Sequence, residues 1–539
     1  MAIRTDIIRL YRRIHTWTGI LTGLILFVCF YAGALTMFKE PLERWITPPA
    51  TVTPVTLERA EELVAATRAL RPEVTDFTLA LDPVLTGETP LRLTWTAERF
   101  DPAPWAATLA PDGTVVVERL DPAGIGLLVD FLHRTVGIPG DLDIGTMVTG
   151  VASALYVVAL VSGVIVLLPS LVKDFLALRV TANVKRMWLD AHNILGIVSL
   201  PFHIVIALSA VVFGLHDQFY DALDHAVYDG RMRTVMAASS PLRTMPKDPQ
   251  PAAMLPPRNL LERARDFAPG FTPVSLEYHD AGTRTATVRV WGHDARYLVR
   301  REGFLLMAAV DGRIIDTEYM PGHQGSWSAT VSAFFALHFG SFGGGVVRWA
   351  YFFLGLAGAL LFYSGNLLWI ESRRRTERRA GGPVTQSRST GLLAAGTIGV
   401  CLGCVGGLSL TIAAGKWLNG LVSDLHAWHW GIYYAAFLGA CAWAFLRGAA
   451  KAGVELLWAS ATATAAIPAT TLLGWLAPGL GLWASTGLIG VDLVALAGAL
   501  GLAAMARRMA RRVRTGPQDS VWSAQKNRTA IQPMMEAAD

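Results

Sequence analysis

Histidine is the residue through which this 539-residue chain has most scope for chemistry. Twelve are present, and His15, His133, His192, His203 and His338 lie within or at the edge of long apolar runs. An imidazole in such a place ligates a metal, carries a proton or fills a packing position. Other chemistries are missing. The sequence has no GxxxxGK, no HExxH, no GxGxxG after a strand and no CxxCH for covalent haem attachment. Its four cysteines, Cys29, Cys401, Cys404 and Cys441, all fall inside apolar runs, so no disulfide framework for exported parts is available.

Composition narrows the class. Hydrophobic residues make up 52% of the chain and charged ones only 17%, which exceeds the balance of a soluble protein. The net charge of +5 is small and its bases are not gathered into a groove, which argues against nucleic acid as a partner.

A bilayer core of about 30 Å needs about 20 apolar residues in a helix. Eight runs meet this, at 16–38, 145–168, 190–214, 347–370, 391–414, 427–446, 456–476 and 482–505, with Pro478 and Gly479 separating the last two. Lys and Arg in short loops stay cytoplasmic. Arg4, Arg9, Arg12, Arg13, then Lys173, Arg179, Lys185, Arg186, then Arg373 to Arg375, Arg378 and Arg379, and finally Arg507, Arg508, Arg511, Arg512 and Arg514 therefore place both termini inside. The first run resembles a signal peptide but is too long for one, and reads as an uncleaved helix. The predicted division is a span in 1–40, an outer segment in 41–144, two spans in 145–214, a second outer segment in 215–346 and a span in 347–375. A four-helix membrane extension in 376–515 and a cytoplasmic tail in 516–539 follow.

The first 375 residues read as a duplication. YRRIHTWTGILTG aligns with WLDAHNILGIVSL, matching His15 to His192 and Gly19 to Gly196. DFLHRTVGIPG aligns with AFFALHFGSFGGG, matching His133 to His338, and Ser162-Gly163 recurs as Ser364-Gly365. Each outer segment holds a short helix (LERAEELVAATRA; NLLERARDFA), alternating strands (LRLTWTA; TATVRVWG) and an Asp-Gly turn, at Asp112-Gly113 and Asp311-Gly312. Both copies start inside, which makes a parallel repeat with its pseudo-twofold axis along the membrane normal.

The words RRIHTWTG, LHRTVG, LDAHNILGIVSLPFH and ALHFG, the last followed by LLWIESRRR, resemble the PepSY-associated transmembrane helix family. The resemblance covers about the first 375 residues; the last four spans are an addition to the four-helix members. Together with the eight apolar runs and the duplication, it gives the expected fold: an all-α polytopic membrane protein of about eight transmembrane helices, with two small periplasmic α+β PepSY-like domains, which the resemblance implies, and an internal parallel repeat. It also implies b-type haem held on membrane histidines, and the family includes ferric-siderophore reductases of the bacterial inner membrane.

A bis-histidine haem requires two neutral imidazoles from different segments in an apolar slot. His15 and His192, repeat-related and at the cytoplasmic starts of their helices, are the expected ligands of an inner haem iron. His133 and His338 are those of an outer one, so that two haems form a wire across the membrane. Interfacial histidines also sit among headgroups, but four in repeat-related pairs favour ligation. His203, eleven residues after His192, returns to within about 20° of the same helical face and about 16.5 Å further along. It is either a ligand of the outer haem, a bridge between haems or a polar packing contact. Gly19, Gly23, Gly196, Gly358 and Gly365 allow a macrocycle or a neighbouring helix to approach.

The remaining candidates are weaker. His426 and His429, spaced i, i+3, suit a metal or haem, although anchoring with Trp428 and Trp430 in an aromatic belt is the commoner use. Cys401 and Cys404 read as packing residues. Asp492 is an intramembrane carboxylate with proton uptake conceivable. Arg92, Trp95, Trp105, Arg289, Trp291 and Arg296 of the outer segments have the chemistry to contact a bulky chelate, without defining a site. The cytoplasmic loops are too short for a flavin or nicotinamide domain, so electrons come from a membrane quinol or a separate cytoplasmic reductase. The expected function is haem-mediated reduction of a periplasmic ferric siderophore, with release of Fe(II). A siderophore or metal transporter is the alternative, or a PepSY-type modulator of a periplasmic peptidase anchored in the lipid bilayer. Neither needs paired membrane histidines.

Overall fold

The computed structural model describes residues 4–49, 55–81, 92–97, 103–171, 184–238, 245–300, 302–379, 384, 386–484 and 486–524; Lys173, Arg179 and the end of the tail lie outside them. In chain order the helices are α1 (Thr5–Thr36), α2 (Lys39–Ile46), α3 (Ala60–Leu70), α4 (Ile125–Arg134), α5 (Leu142–Leu167), α6 (Val184–Val198), α7 (Leu200–Val227) and α8 (Met232–Ala238). They continue as α9 (Pro257–Phe267), α10 (Ser326–Phe339), α11 (Gly344–Arg379), α12 (Arg388–Leu418), α13 (Leu425–Arg447), α14 (Ala449–Leu476) and α15 (Ile489–Thr515). The strands are β1 (Phe77–Ala80), β2 (Leu93–Trp95), β3 (Trp105–Leu109), β4 (Val115–Arg119), β5 (Thr272–His279), β6 (Thr287–His293), β7 (Gly303–Ala308) and β8 (Ile314–Asp316).

Two compact units result. One holds Met1–Ile46, Ala123–Gly214 and Phe352–Asp539, the other Thr47–Pro122 and Leu215–Tyr351.

The first unit is helical. Among the described residues seven helices are long and apolar enough to cross a membrane: α1, α5, α7, α11, α12, α14 and the helix ending at Thr515. The expected span at 427–446 is helical as α13 but is not one of the seven. His426, His429, three tryptophans and two tyrosines lower its apolarity. The third expected span also differs, because the helix breaks at Ser199 and resumes at Leu200. Pro201 brings no N–H, and the Ser199 hydroxyl donates back to the Leu195 carbonyl, a bond that competes with the helical ladder. Helix α5 starts where Asp141 Oδ1 accepts from the N–H groups of Asp143 (2.8 Å) and Ile144 (3.1 Å). A single core joins Leu26 and Phe30 of α1, Leu128 and Leu132 of α4, Leu408 of α12 and Tyr433 of α13. The C-terminal helices thus share their core with α1 and α4.

The second unit contains one antiparallel sheet of eight strands, in the order β4-β3-β2-β1-β5-β6-β7-β8. The two outer segments, expected as separate small domains, are halves of this sheet. Their seam is the β1·β5 pair, where Phe77 faces Tyr278 and Leu79 faces Leu276, with the Phe77 and Tyr278 rings stacked at 4.7 Å. Pairing satisfies backbone groups that either half alone would leave on an open edge. Helices α3 and α9 contribute Leu63, Leu260 and Leu261 to a core with Leu79, Leu93, Leu276 and Leu305. Both predicted Asp-Gly turns are present, with Gly113 and Gly312 at positive φ, where glycine fits without strain.

On β5, burial raises the Glu277 carboxyl, but the His279 imidazole 3.3 Å away, a hydrogen bond accepted from Trp291 Nε1 (2.7 Å) and the Arg289 charge outweigh it and hold the group at about 2. A depressed carboxylate stabilises the fold above its unfolded value and loses that contribution as pH falls through the folded one. The difference in Tm between the wild type and Glu277→Gln, measured on the full chain, is therefore expected to shrink between about pH 4.5 and pH 2. A difference constant over that window contradicts this account.

Candidate functional site

His15 on α1 and His192 on α6 lie together in the helical unit. Their ring centroids are 6.1 Å apart and the ring planes cross at 73°. His15 Nδ1 is 2.8 Å from the Ala159 carbonyl, and His192 Nδ1 is 3.0 Å from Ser364 Oγ, with the ring also near the Leu361 carbonyl. The Ala159 carbonyl only accepts, and the Ser364 hydroxyl already donates to the Leu361 carbonyl at 2.9 Å, so each Nδ1 carries the proton and Nε2 is left as the lone-pair nitrogen of a neutral ring.

The two settings correspond. Ala159 and Gly163 of α5 stand to His15 as Leu361 and Gly365 of α11 stand to His192, and Ser364 adds a contact to His192. The glycines make this possible: a Cβ on Gly163 would lie 2.9 Å from His15 Cε1, and one on Gly365 would lie 3.6 Å from His192 Cε1.

This donor set fits haem iron. Imidazole nitrogens bind a metal ion at about 2.0–2.1 Å, so two rings extending straight back from opposite sides have centroids about 6 Å apart. Held Nδ1–H groups are the usual outer-shell support for such ligands. Among the described residues no three His, Cys, Asp or Glu side chains gather to hold a bare metal ion. A porphyrin supplies four nitrogens itself and asks only two ligands of the protein.

His203 is on α7, across the Ser199 break from His192, so the two share no continuous helix. It is fully buried. Its Nδ1 is 2.6 Å from Tyr156 Oη, its Nε2 has no partner among the described residues, and the rings of Phe30 and Phe202 surround it. Tyr156 escaped the sequence reading; the one signal was a polar tip in the middle of an apolar run.

His133 on α4 points Nδ1 at the Cys29 carbonyl of α1, at 2.9 Å. His338 is near the end of α10 in the other unit, with its ring against Phe339. Each is placed within its own unit.

The outer-segment residues already have partners. Arg289 and Trp291 hold Glu277, Arg289 lies over the Phe304 ring, Arg296 pairs with Asp294, Trp95 stacks across the sheet on Trp105, and Arg92 is buried. Cys401 and Cys404 are buried free thiols in the apolar core. His429 is buried, and Trp430 beside it packs on Phe131. Asp492 is enclosed, 6% exposed.

Seven apolar helices, a histidine pair between them and an eight-stranded sheet define a multi-pass membrane protein. The family described as PepSY-associated TM region matches residues 12–372. The chain belongs to that family. No curated protein matches it.

The glycine supports can be tested separately from the histidines. Gly163→Val is expected to displace His15 and remove about one haem of two, by pyridine haemochrome assay, whereas Gly19→Val, where a side chain meets open space, leaves the content unchanged. Equal content in both variants argues against a ligand role for His15.

Proposed function

We propose that this protein is a b-type dihaem electron-transfer protein of the bacterial inner membrane that reduces a periplasmic ferric siderophore and so releases Fe(II). The observation that carries the reading is the His15–His192 pair, with centroids 6.1 Å apart and the Nδ1 atoms held by the Ala159 carbonyl and the Ser364 hydroxyl. Bound haem supplies a one-electron ferric/ferrous couple.

The protein's own part is positional. Ala159, Leu361 and Ser364 fix the tautomer and direction of the two inner rings. The apolar helices around them exclude water. His133 of α4 and His338 of α10 are each proposed as ligands of haem iron, and His203, with its unanswered Nε2, lies on α7 as a further ligand or a bridge. The basic inner segments favour cytoplasmic termini. On that orientation the sheet unit is periplasmic, two PepSY-like halves facing the acceptor. The duplication is supported by the matching settings of His15 and His192 and by a strand order that reads the same from the seam outward. Siderophore oxygens are hard donors that bind Fe(II) less well than Fe(III), so reduction loosens the metal.

The purified protein is expected to carry about two low-spin b-type haems, and His192→Ala about one, with the apolar spans still inserting. Survival of both haems in His15→Ala, His192→Ala, His133→Ala and His338→Ala alike removes the ligand assignment.

Direction is tested in oriented proteoliposomes. A membrane-impermeant ferric siderophore offered on the sheet side is expected to reoxidise the reduced protein in stopped flow, and its gallium analogue is not. If several ferric chelates fail while another acceptor succeeds, siderophore reduction is withdrawn and the cytochrome reading stands.

A further inference from the structure

The helices beyond the family match hold ionisable side chains that the histidine pair does not use. Lys416 of α12 is 2% exposed, Asp492 of α15 is 6% exposed and His429 of α13 is fully buried. Ionisable groups inside a membrane bundle are costly and mark function by default. Lys416 Nζ stands 4.2 Å from the ring centre of Trp45 and 5.2 Å from that of Trp483. Asp492 Oδ1 accepts from Trp45 Nε1 (3.1 Å) and Thr471 Oγ1 (2.8 Å).

Four polar atoms there are unanswered. Asp492 Oδ2, both ring nitrogens of His429 and Trp483 Nε1 are buried without a hydrogen-bond partner among the described residues. His429 Nε2 packs on Gly415, the residue before Lys416, next to Ile46, the residue after Trp45. All these groups lie at one end of the bundle: the C-terminal ends of α12 and α14, the N-terminal ends of α13 and α15, and α2. Beside Thr471 and Asp492, the apolar side chains of Leu472, Trp475, Leu493 and Leu496 are exposed on α14 and α15, where lipid would lie.

We propose that a membrane quinol binds and is oxidised here; the inference rests on the haem reading above for its electron acceptor. A quinol head is a flat aromatic ring with two hydroxyls, and its tail remains in lipid. It calls for aromatic walls, two buried hydrogen-bond acceptors that also accept protons, and an opening to the bilayer. Trp45 and Trp483, Asp492 Oδ2 and His429, and the exposed apolar edge of α14 and α15 supply these in turn. Both quinol O–H bonds break: one proton passes to Asp492 and the other to His429. The two electrons would pass singly to the haem that the histidines above would hold, a one-electron couple that would deliver each of them to one Fe(III). Quinol thereby becomes quinone and two Fe(II) are formed. The path toward the proposed outer ligand is short, because Trp430, adjacent to His429, packs on Phe131 at 4.4 Å, two residues before His133.

The test uses the full-length protein in phosphatidylcholine nanodiscs. Dithionite-reduced protein, which cannot accept electrons, is titrated anaerobically with a short-chain quinol by calorimetry. Oxidised protein is separately mixed with the same quinol and followed at the haem absorbance. Saturable binding and haem reduction are expected, each weakened at least tenfold in Asp492→Asn and in His429→Phe, with an unchanged dithionite-reduced spectrum; Lys451→Gln, exposed on α14, is the control. Thr471→Val serves as a milder variant if Asp492→Asn does not fold. Absence of saturable binding, or binding insensitive to all three substitutions, overturns the quinol site while a haem spectrum leaves the cytochrome reading intact. Quinol binding by a protein that purifies without haem supports the site and overturns that reading instead.

Discussion

A histidine inside an apolar helical bundle needs something to hold one ring nitrogen, and here the holder is a backbone carbonyl of the neighbouring helix. The Ala159 and Leu361 carbonyls that face His15 and His192 each lie one helical turn before a glycine, Gly163 and Gly365. Without a side chain at the glycine, the imidazole comes close enough to share a carbonyl that also belongs to the helical ladder. That contact fixes both tautomers and thereby decides which nitrogens are available to a ligand. Helix spacing, glycine placement and the chemistry of the pair therefore depend on one another.

The sheet follows a different constraint. Each half has a strand edge next to its own helix-backed core, and four strands backed by one short helix bury little apolar surface. Joining β1 to β5 removes two open edges, brings Leu79 and Leu276 into one core and stacks Phe77 on Tyr278. Two four-stranded halves that would be marginal as separate pieces become one layer.

The C-terminal helices are not an appendage in energetic terms. Leu408 and Tyr433 belong to the same core as Leu26 and Leu132, Arg512 of α15 donates to Glu371 of α11 at 3.0 Å, and Trp45 of α2 donates into α14 and α15. Such buried charge-assisted bonds are worth more than exposed ion pairs and tie the extension to the duplicated part.

Much of this was legible in the sequence, because the patterns that carry it are local. Runs of about 20 apolar residues, alternation in the strands, Asp-Gly turns and paired histidine words each depend on neighbours within one element. They determined the membrane class, the family, the strands and the equivalence of His15 with His192. Only the tertiary structure decided that these two rings meet, that the outer segments form one sheet, that the helix breaks between His192 and His203, and that Trp45, Lys416, His429 and Asp492 converge. Those outcomes join residues separated by up to several hundred positions, and the free energy that selects them arises from packing and from hydrogen bonds in a space no single segment contains.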